Sequence, residues 1–401
     1  MYQFIENGTI TSVKGFQAAG IYCGIKKKKR DLALIYSPVE CTVAGTFTLN
    51  KVKAAPLLVS QAIIKAGGKV KAILINSGNA NACTGEPGHQ DALDSQAWVA
   101  AELGIDPKEV LVSSTGVIGQ RLPMPVLKQG IKDIVPIVSP IGGYDAAEAI
   151  MTTDTKDKQF AVEIQTSAGS ITIGGICKGS GMIMPNMATM LGFLTTDAVI
   201  DNQVIKDLLL EAVTHSFNKI TVDGDTSTND MVVLMANGAS GIEVVPGTEV
   251  YTEFKSGLMG LTREMAKAII IDGEGATKFV EVFVSGAHSA EDADKIAKTI
   301  CNSPLVKTAI HGQDANWGRI ISAAGYSGAE FDPAEVSIYF DDLAIFLPNY
   351  RIVLDEEEAL KRLSKTEMKI TINVGHGPFS TTWYTCDFST EYIHINADYR
   401  S

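Results

Sequence analysis

The chain has 401 residues, which is enough for two domains or one large two-lobed unit with an ample hydrophobic core. Hydrophobic residues make up 45% and charged residues 20%, a composition that excludes a disordered chain and a membrane-embedded one. The formal net charge of -12 excludes a general nucleic-acid binder, which carries a basic face, but allows anionic substrates held by a few local cations.

Hydrophobic periodicity predicts helices and strands that alternate along the whole chain. The basic run Lys26–Arg30 is predicted to be a solvated turn before a buried strand that starts at Asp31. In chain order, the pattern then predicts a helix over 54–66, a strand over 70–76, a helix over 90–104, a strand from 110, a short helix ending at 151, strands over 160–165 and 170–174, a helix over 201–217, a strand over 231–235, a helix over 256–270, a strand over 279–284, a helix over 289–301, a strand over 336–340, a helix over 355–365, and strands over 369–374 and 392–401. This alternation is typical of an α/β or α+β protein.

The cysteines, the histidines and the N-terminal residues further limit the kind of site and the cellular location that we expect. The six cysteines are scattered without a C-x-x-C pair, which favours free thiols in a reducing compartment over a disulfide or zinc framework. The six histidines show no H-E-x-x-H, so no metal site is predicted. The N-terminal residues lack a cationic region followed by an apolar core, so we expect no secretory signal and a cytoplasmic location.

Several predicted loops carry polar groups suited to chemistry. The strand from 110 runs into a glycine turn at Thr115-Gly116, which the pattern alone predicts to be a simple strand-ending turn. Lys178-Gly-Ser-Gly is not a P-loop, because there the lysine follows the glycines. This lysine suits either binding of a carboxylate or stabilisation of the surroundings of a nucleophile. The acidic loop at 222–230 lacks the glycine and glutamate of an EF-hand, so we interpret it as a polar site-lining loop. Glu274 stands between two glycines, which presents its carboxylate on a loop.

The stretch at 178–193 differs from the rest because it is apolar, rich in glycine and nearly free of charge. Pro185 interrupts it well below the roughly 20 apolar residues of a membrane span. Within it Ala188 precedes Thr189, and in a strained fold the Thr189 hydroxyl can attack the Ala188 carbonyl to form an ester. Hydrolysis leaves Thr189 as a new N-terminus, whose α-amine, with a reference pKa of about 7.7–8, serves as base for the hydroxyl beside it. The alternative is a buried loop that leads into a strand.

Six sequence blocks in the same order resemble the ornithine acetyltransferase family, also called glutamate N-acetyltransferases. The central block is Lys178-Gly-x-Gly-Met-x-x-Pro-x-Met-Ala-Thr-Met-Leu. The other five are Asn76-Ser-Gly-Asn-Ala-Asn-Ala-Cys-Thr-Gly85, Ser113-Ser-Thr-Gly-Val-Ile-Gly119, Thr152-Thr-Asp-Thr155, Gly224-Asp-Thr-Ser-Thr-Asn-Asp230 and Gln313-Asp-Ala-Asn-Trp-Gly-Arg319. The resemblance runs from about residue 15 to the last residue, so it covers essentially the whole chain.

The resemblance implies a fold and a cleavage. The fold is a layered helix–sheet–sheet–helix sandwich, shared with self-processing aminopeptidases, with a smaller C-terminal lobe. The chain is expected to cut itself between Ala188 and Thr189 into an alpha fragment, 1–188, and a beta fragment, 189–401. Two copies of each fragment are expected to form a heterotetramer.

The resemblance also implies roles for individual residues. Thr189 is the nucleophile, and Thr115 and Gly116 stabilise the oxyanion. A threonine of the 152–155 block contacts substrate; we favour Thr153, although the sequence does not separate it from Thr152. The remaining expected substrate contacts are Lys178, Glu274, Asn396 and Ser401.

The implied activity is transfer of an acetyl group from N2-acetyl-L-ornithine to L-glutamate through a Thr189 acetyl ester, in arginine biosynthesis. No metal or organic cofactor is expected; whether acetyl-CoA is a second acetyl donor is left open by the sequence. Two other classes remain. One is a self-processing aminopeptidase or amidohydrolase that passes the acyl group to water, and the other is a non-enzymatic protein in which Ala188-Thr189 is core.

Overall fold

The computed structural model describes residues 1–184 and 190–398. Its strands within these residues are β1 (Tyr2–Phe4), β2 (Gln17–Ile21), β3 (Leu32–Phe47), β4 (Val70–Asn79), β5 (Val110–Val117), β6 (Lys158–Thr166), β7 (Gly169–Lys178), β8 (Leu191–Thr196), β9 (Ile220–Thr221), β10 (Met231–Ala236), β11 (Phe279–Ala287), β12 (Ser337–Phe340), β13 (Leu343–Leu347), β14 (Arg351–Ile352), β15 (Glu367–Asn373) and β16 (Phe379–Cys386). Its helices are α1 (Ala55–Lys65), α2 (Gly85–Leu103), α3 (Met124–Ile134), α4 (Gly143–Ala149), α5 (Asn202–Thr214), α6 (Glu249–Ile271), α7 (Ala290–Asn302), α8 (Pro304–His311), α9 (Trp317–Gly325), α10 (Glu356–Leu363) and α11 (Thr390–Ala397). Within these described ranges, none of the helices is long and apolar enough to cross a membrane.

The chain divides into two compact units. Unit 1 comprises Met1–Asn218 and Asp225–Ile269, and unit 2 comprises Lys219–Gly224 and Ile270–Ser401. Unit 2 corresponds to the predicted smaller C-terminal lobe. The units do not coincide with the predicted fragments, since β8 and β10 follow the expected cut and still belong to unit 1. The fragment boundary at 188/189 therefore stays a prediction.

The nine-stranded sheet of unit 1 has two halves that share β3. The strand order is β1-β6-β7-β8-β10-β3-β4-β5, and β2 also pairs with β3. Residues 32–36 of β3 pair with β2 and β4, whereas residues 42–47 pair with β10. The register shifts between Tyr36 and Cys41, where β3 passes from one half of the sheet to the other.

Alternating side chains show how the two halves are layered. Ile73 of β4 shares a hydrophobic core with Val233 of β10, which lies in the other half. The neighbouring Leu74 faces the opposite side and joins a second core with residues of α1, α2 and α3. On the far side of the sandwich, Met265 of α6 lies over Gly175 of β7. Unit 1 is thus a helix–sheet–sheet–helix sandwich, which confirms the predicted layers.

Unit 2 is built on a mixed sheet of seven strands in the order β14-β13-β12-β15-β11-β16-β9. Val280, Val282 and Val284 of β11 are buried at alternate positions. They form one core with α7, α9 and α10, including Ile296 and Leu363. The alternation that predicted a strand at 279–284 therefore marks the covered face of this sheet.

The pattern predicts a strand at the C-terminal tail, and this prediction is wrong for the described part of the tail, because α11 occupies Thr390–Ala397. Its first turn is capped by the Ser389 hydroxyl, which accepts from the backbone N–H of Glu391 at 3.2 Å. The ring of Tyr392 stacks on Phe388 with 4.9 Å between centroids. The alternating isoleucines that suggested a strand do not alternate in burial, and Ile393 is 67% exposed.

Strand β5 lies at the end of the unit 1 sheet, so one row of its backbone groups has no neighbouring strand. Buried side chains from other elements satisfy this row. The Ser60 hydroxyl on α1 donates to the carbonyl of Val112 at 2.7 Å and accepts from its N–H at 2.8 Å. Gln96 on α2 donates through Nε2 to the carbonyl of Val110 at 2.7 Å.

We expect Ser60→Ala to lower the free energy of unfolding by about 2 to 4 kcal/mol, because it leaves a buried donor and a buried acceptor of Val112 unpaired. The measurement is the urea midpoint at constant slope. Ser256→Ala, at an exposed position on α6, is the matched control and should stay within about 0.5 kcal/mol of wild type. Equal midpoints for the two variants would show that Ser60 does not support the sheet edge.

Candidate active site

The predicted oxyanion turn, Thr115-Gly116, lies at the end of the edge strand β5. Gly116 has φ +133°, and a Cβ on it would lie 2.3 Å from the carbonyl carbon of Gly78 on β4. Only glycine fits this position, because the backbone conformation and the close approach each exclude a side chain. The structure therefore explains why a glycine ends this strand.

The edge geometry leaves two hydrogen-bond donors at this turn. Backbone groups of alternate strand residues point to the same edge, and those of residues 110, 112 and 114 are already capped by side chains. By the same alternation we expect the N–H of Gly116 to point to the free edge, at a place where the pairing of β5 with β4 shifts register. Thr115 is 9% exposed, and no hydrogen bond joins its hydroxyl to residues 1–184 or 190–398. A hydroxyl and an adjacent backbone N–H are the donors that an oxyanion hole requires.

The third cap on β5 comes from an irregular segment at residues 226–231, which precedes and begins β10. Asn229 Nδ2 donates to the carbonyl of Ser114 at 2.8 Å and to that of Ala80 at 2.7 Å. Asn229 is 5% exposed. This single amide thus ties the residue before the oxyanion turn to the loop that follows β4.

The 226–231 segment also contacts the chain on both sides of residues 185–189. The Thr226 hydroxyl donates to the carbonyl of Met184 at 2.9 Å. The backbone N–H of Met231 donates to the carbonyl of Met190 at 3.1 Å, at the start of the parallel pairing of β10 with β8. Ala188 and Thr189, the predicted cleavage pair, lie outside the described residues. Their chain neighbours are nevertheless held by the same segment that holds Ser114.

Asp154 is a fully buried carboxylate that fixes the backbone next to Lys178. Its Oδ1 accepts from Lys158 Nζ and from the N–H of Gly179, both at 2.8 Å, and its Oδ2 accepts from the N–H of Thr152 at 3.0 Å. Burial alone raises the pKa of the Asp154 carboxyl, but the positive charges of Lys178 and Lys158 outweigh burial and hold that pKa well below its usual range. Asp154 is therefore ionised at neutral pH.

Asp230, in the 226–231 segment, has a pKa shifted in the opposite direction. Asp230 is 2% exposed, and its Oδ2 has no hydrogen-bond partner among the residues that the structure describes. Burial raises the pKa of the Asp230 carboxyl well above its usual value, and the charge of Lys178 opposes this only in part. The two buried carboxyls near Lys178 thus have pKa values shifted in opposite directions.

The predicted basic turn is solvated only in part. Lys28 and Lys29 are exposed, but Lys26 turns inward and donates through Nζ to the carbonyl of Met151 at 3.0 Å. Burial lowers the pKa of the Lys26 ammonium to about 8, against the opposing effect of Asp31. Lys26, which the sequence pattern predicted to be solvated, thus lies beside the 152–155 block.

In unit 2 the structure brings two predicted substrate contacts together. Asn396 Nδ2 donates to Glu274 Oε2 at 2.8 Å, and Glu274 is 6% exposed. The Glu274 loop is held to α11 by the Ser389 hydroxyl, which donates to the carbonyl of Gly275 at 2.6 Å. Gly275 itself has φ +69°, a conformation that glycine adopts without strain. Ser401, the last expected contact, lies outside the described residues.

The loop after Glu274 is anchored by a second carboxylate. Asp387 accepts from the N–H groups of Thr277 and Lys278, both at 2.8 Å, and lies 2.7 Å from Nδ1 of His311. Burial raises the pKa of the Asp387 carboxyl, but the hydrogen bonds from Thr277 and His311 outweigh burial and lower it. The loop that presents Glu274 is thus fixed at both ends.

The other predicted substrate contacts in unit 1 are Thr153, with Thr152 as the alternative, and Lys178. Thr152 and Thr153 are both half-buried beside Asp154, so the choice of Thr153 stays a prediction. Lys178 ends β7 and is 8% exposed. Sequence reasoning missed the roles of Asp154 and Asn229, although both stand inside blocks that carried the family resemblance.

No group of three or more His, Cys, Asp or Glu side chains in the described part of the chain is arranged to hold a metal ion. Apart from the carboxyl groups of Asp154 and Asp230, the polar groups described at the candidate site are hydroxyls, amides, backbone N–H groups and lysines, which suit stabilisation of an anion.

Comparison with known proteins identifies the family. The ArgJ family model matches residues 17–401. The arginine biosynthesis bifunctional protein ArgJ of Symbiobacterium thermophilum is 47% identical over 398 residues, which is 98% of this chain and 99% of that protein. The protein of the same name from Chlorobaculum tepidum is 50% identical over 389 residues, 97% of this chain and 96% of that protein. The crystal structure of Mycobacterium tuberculosis ornithine acetyltransferase complexed with ornithine is 40% identical, with a TM-score of 0.44, and covers 47% of this chain and 100% of that one. The resemblance seen in the sequence blocks is thereby confirmed, and this chain belongs to the ArgJ family.

Proposed function

We propose that this chain transfers the acetyl group of N2-acetyl-L-ornithine to L-glutamate in arginine biosynthesis. The observation that carries the proposal is the Thr115-Gly116 turn near the end of the edge strand β5, with the Thr115 hydroxyl and the Gly116 N–H as the proposed donors. The 226–231 segment connects this turn to both flanks of the predicted nucleophile. The names of the close relatives support the pathway.

In the proposed reaction Thr189 carries the acetyl group between two substrates. After self-cleavage the α-amine of Thr189 takes the proton of its hydroxyl, and the hydroxyl oxygen attacks the acetyl carbonyl of N2-acetylornithine. The Thr115 hydroxyl and the Gly116 N–H stabilise the oxyanion that forms. Ornithine then leaves with a proton from the α-amine. Glutamate attacks the resulting ester in the second half-reaction and regenerates Thr189.

The substrate contacts are proposed from the charges of the two substrates. Lys178 would pair with a carboxylate, and Glu274 with an ammonium group. Thr153, Asn396 and Ser401 would add hydrogen bonds. The proposed chemistry needs no metal or organic cofactor, since every proton and nucleophile comes from the chain or its substrates.

Three further features belong to the same proposal. Acetyl-CoA serves as a second donor, in keeping with relatives named bifunctional, and release of free CoA in the presence of glutamate tests this. The enzyme works in the cytoplasm. Two alpha and two beta fragments form its heterotetramer.

Thr189→Ala should give a single uncut chain without acetyl transfer, because the attacking hydroxyl is absent. The measurements are intact mass under denaturing conditions and ornithine release from N2-acetylornithine. Thr189→Ser is the matched control, since it keeps the hydroxyl, and it should cleave and retain activity. Wild type should give two fragments, the second starting at Thr189. A Thr189→Ala protein that is cleaved or active would contradict the assignment of Thr189 as the nucleophile. If the wild-type protein releases free acetate and forms no N-acetylglutamate, it is a hydrolase.

Thr115→Ala should lower kcat about 10²-fold with little change in KM, because a donor to the transition-state oxyanion is lost. Self-cleavage should slow as well if the same hydroxyl stabilises both oxyanions. Thr115→Ser keeps the donor and should retain most of the rate. If the alanine variant keeps the wild-type kcat, Thr115 is only a turn residue and the predicted oxyanion role is wrong.

A further inference from the structure

Three buried side chains cap the free edge of β5, and they stand at regular intervals along it. Gln96 binds the carbonyl of Val110, Ser60 binds Val112, and Asn229 binds the carbonyl of Ser114. The next backbone group at this edge is the N–H of Gly116. Asn229 is therefore the last protein cap before the donor that is left for a ligand.

The side-chain amide of Asn229 both donates and accepts hydrogen bonds. Its Nδ2 donates to the carbonyls of Ala80 and Ser114, and its Oδ1 accepts from the Thr228 hydroxyl at 2.5 Å. An asparagine satisfies this environment because it offers two donors on one atom and an acceptor on the other. A carboxylate in the same place would direct oxygens at two carbonyl oxygens.

The bond to Ser114 acts directly on the oxyanion turn. The Ser114 carbonyl belongs to the same peptide plane as the N–H of Thr115, so a bond that fixes this carbonyl fixes the backbone at which the Thr115 side chain begins. The following peptide carries the N–H of Gly116. Asn229 thus restrains the strand immediately before both proposed donors.

The same segment restrains the chain around the nucleophile. Two residues after Asn229, the N–H of Met231 binds the carbonyl of Met190, the residue that follows Thr189 in the sequence. Three residues before Asn229, Thr226 binds Met184. Asn229 itself binds Ala80 and Ser114, which belong to the opposite half of the sheet and the loop after β4.

Resting on the function proposed above, we propose that Asn229 is a positioning residue that holds the Thr115-Gly116 oxyanion donors in register with the strand following the nucleophile. It does not touch the reacting atoms. Asn229 affects the rate by fixing the position of the oxyanion donors, since a displacement of about 1 Å in a catalytic group can lower the rate about 10²-fold.

The test is Asn229→Asp, which keeps the size of the side chain and removes both donors. We expect kcat for acetyl transfer to fall roughly 10- to 100-fold, while KM for N2-acetylornithine and for glutamate stays within about 2-fold. Self-cleavage of the freshly made chain should slow in parallel. A kcat within about 2-fold of wild type in a folded variant overturns the proposal.

Gln96→Glu is the matched control, because it makes the same amide-to-carboxylate change at the other end of the same strand edge. It should lower the melting temperature as Asn229→Asp does, and leave kcat within about 2-fold of wild type. If both variants lose activity in proportion to their melting temperatures, Asn229 has only a structural role and the proposal fails.

A double-mutant cycle with Thr115 shows whether Asn229 acts through the oxyanion turn. In a Thr115→Ala background, Asn229→Asp should lower kcat by a clearly smaller factor than in wild type, because one of the two positioned donors is already gone. Equal factors in both backgrounds would mean that the two residues act independently. The single variants separate this inference from the proposed function. If Thr115→Ala lowers kcat and Asn229→Asp does not, the inference about Asn229 fails and the proposed function stands. A wild-type protein that neither cleaves itself nor transfers acetyl overturns the proposed function together with it.

Thr228 provides a second route if Asn229→Asp does not fold. Thr228→Val removes the hydroxyl that orients the Asn229 amide, and Thr228→Ser keeps it. The valine variant should lose kcat at unchanged KM, and the serine variant should restore it. Equal kcat values for the two variants would overturn the proposal.

Discussion

The site depends on one physical constraint: a buried chain without regular structure must find partners for its backbone and side-chain polar groups. Apart from Oδ2 of Asp230, the 226–231 segment meets it by bonding to many separate parts of unit 1. Besides its bonds to Ser114, Met184 and Met190, the carbonyl of Thr228 accepts from the N–H of Ala54, and the carbonyl of Asp230 accepts from the N–H of Thr48. Because each bond leads to a different element, the segment fixes their relative positions. The polar groups that would otherwise destabilise this buried chain are what define the site.

The sheet edge supplies the second part of the site. An edge strand exposes unpaired donors and acceptors, which are a liability unless they are covered. In β5 the cover is provided by three buried polar side chains, and it stops where Gly116 approaches Gly78. Under the proposed function, a donor on this strand would be in place before an anion arrives and would need no reorganisation, which is the property that makes such donors effective in catalysis.

The sequence predicted the regular parts of this protein well and the connecting parts poorly, for reasons that particular residues illustrate. The strand at 70–76 and the helix at 54–66 match β4 and α1 closely, because their burial follows the local hydrophobic pattern. Helix α2 begins at Gly85 and not at 90, since Pro87 is tolerated in a first turn. The residues of the site were found through family resemblance. The role of Asn229 was not, because it depends on a bond to Ser114 across 115 positions of sequence. No local pattern reports a partner so distant.

Under the proposed function, one oxyanion hole serves two reactions on different carbonyl groups. In self-cleavage the carbonyl belongs to Ala188, and in acetyl transfer it belongs to the acetyl group of the substrate. The hole must therefore be formed before cleavage, when no substrate is present to organise it, and must keep its geometry after a new chain end has been created. Neither partner of Asn229 across the sheet edge, Ala80 or Ser114, is close in sequence to the cut. Asn229 and these two partners lie on opposite sides of the proposed cut, so after cleavage their hydrogen bonds would join the two fragments. Because the bonds are buried and do not involve residues 188 and 189, they would restrain the proposed donors in the same way before and after the cut.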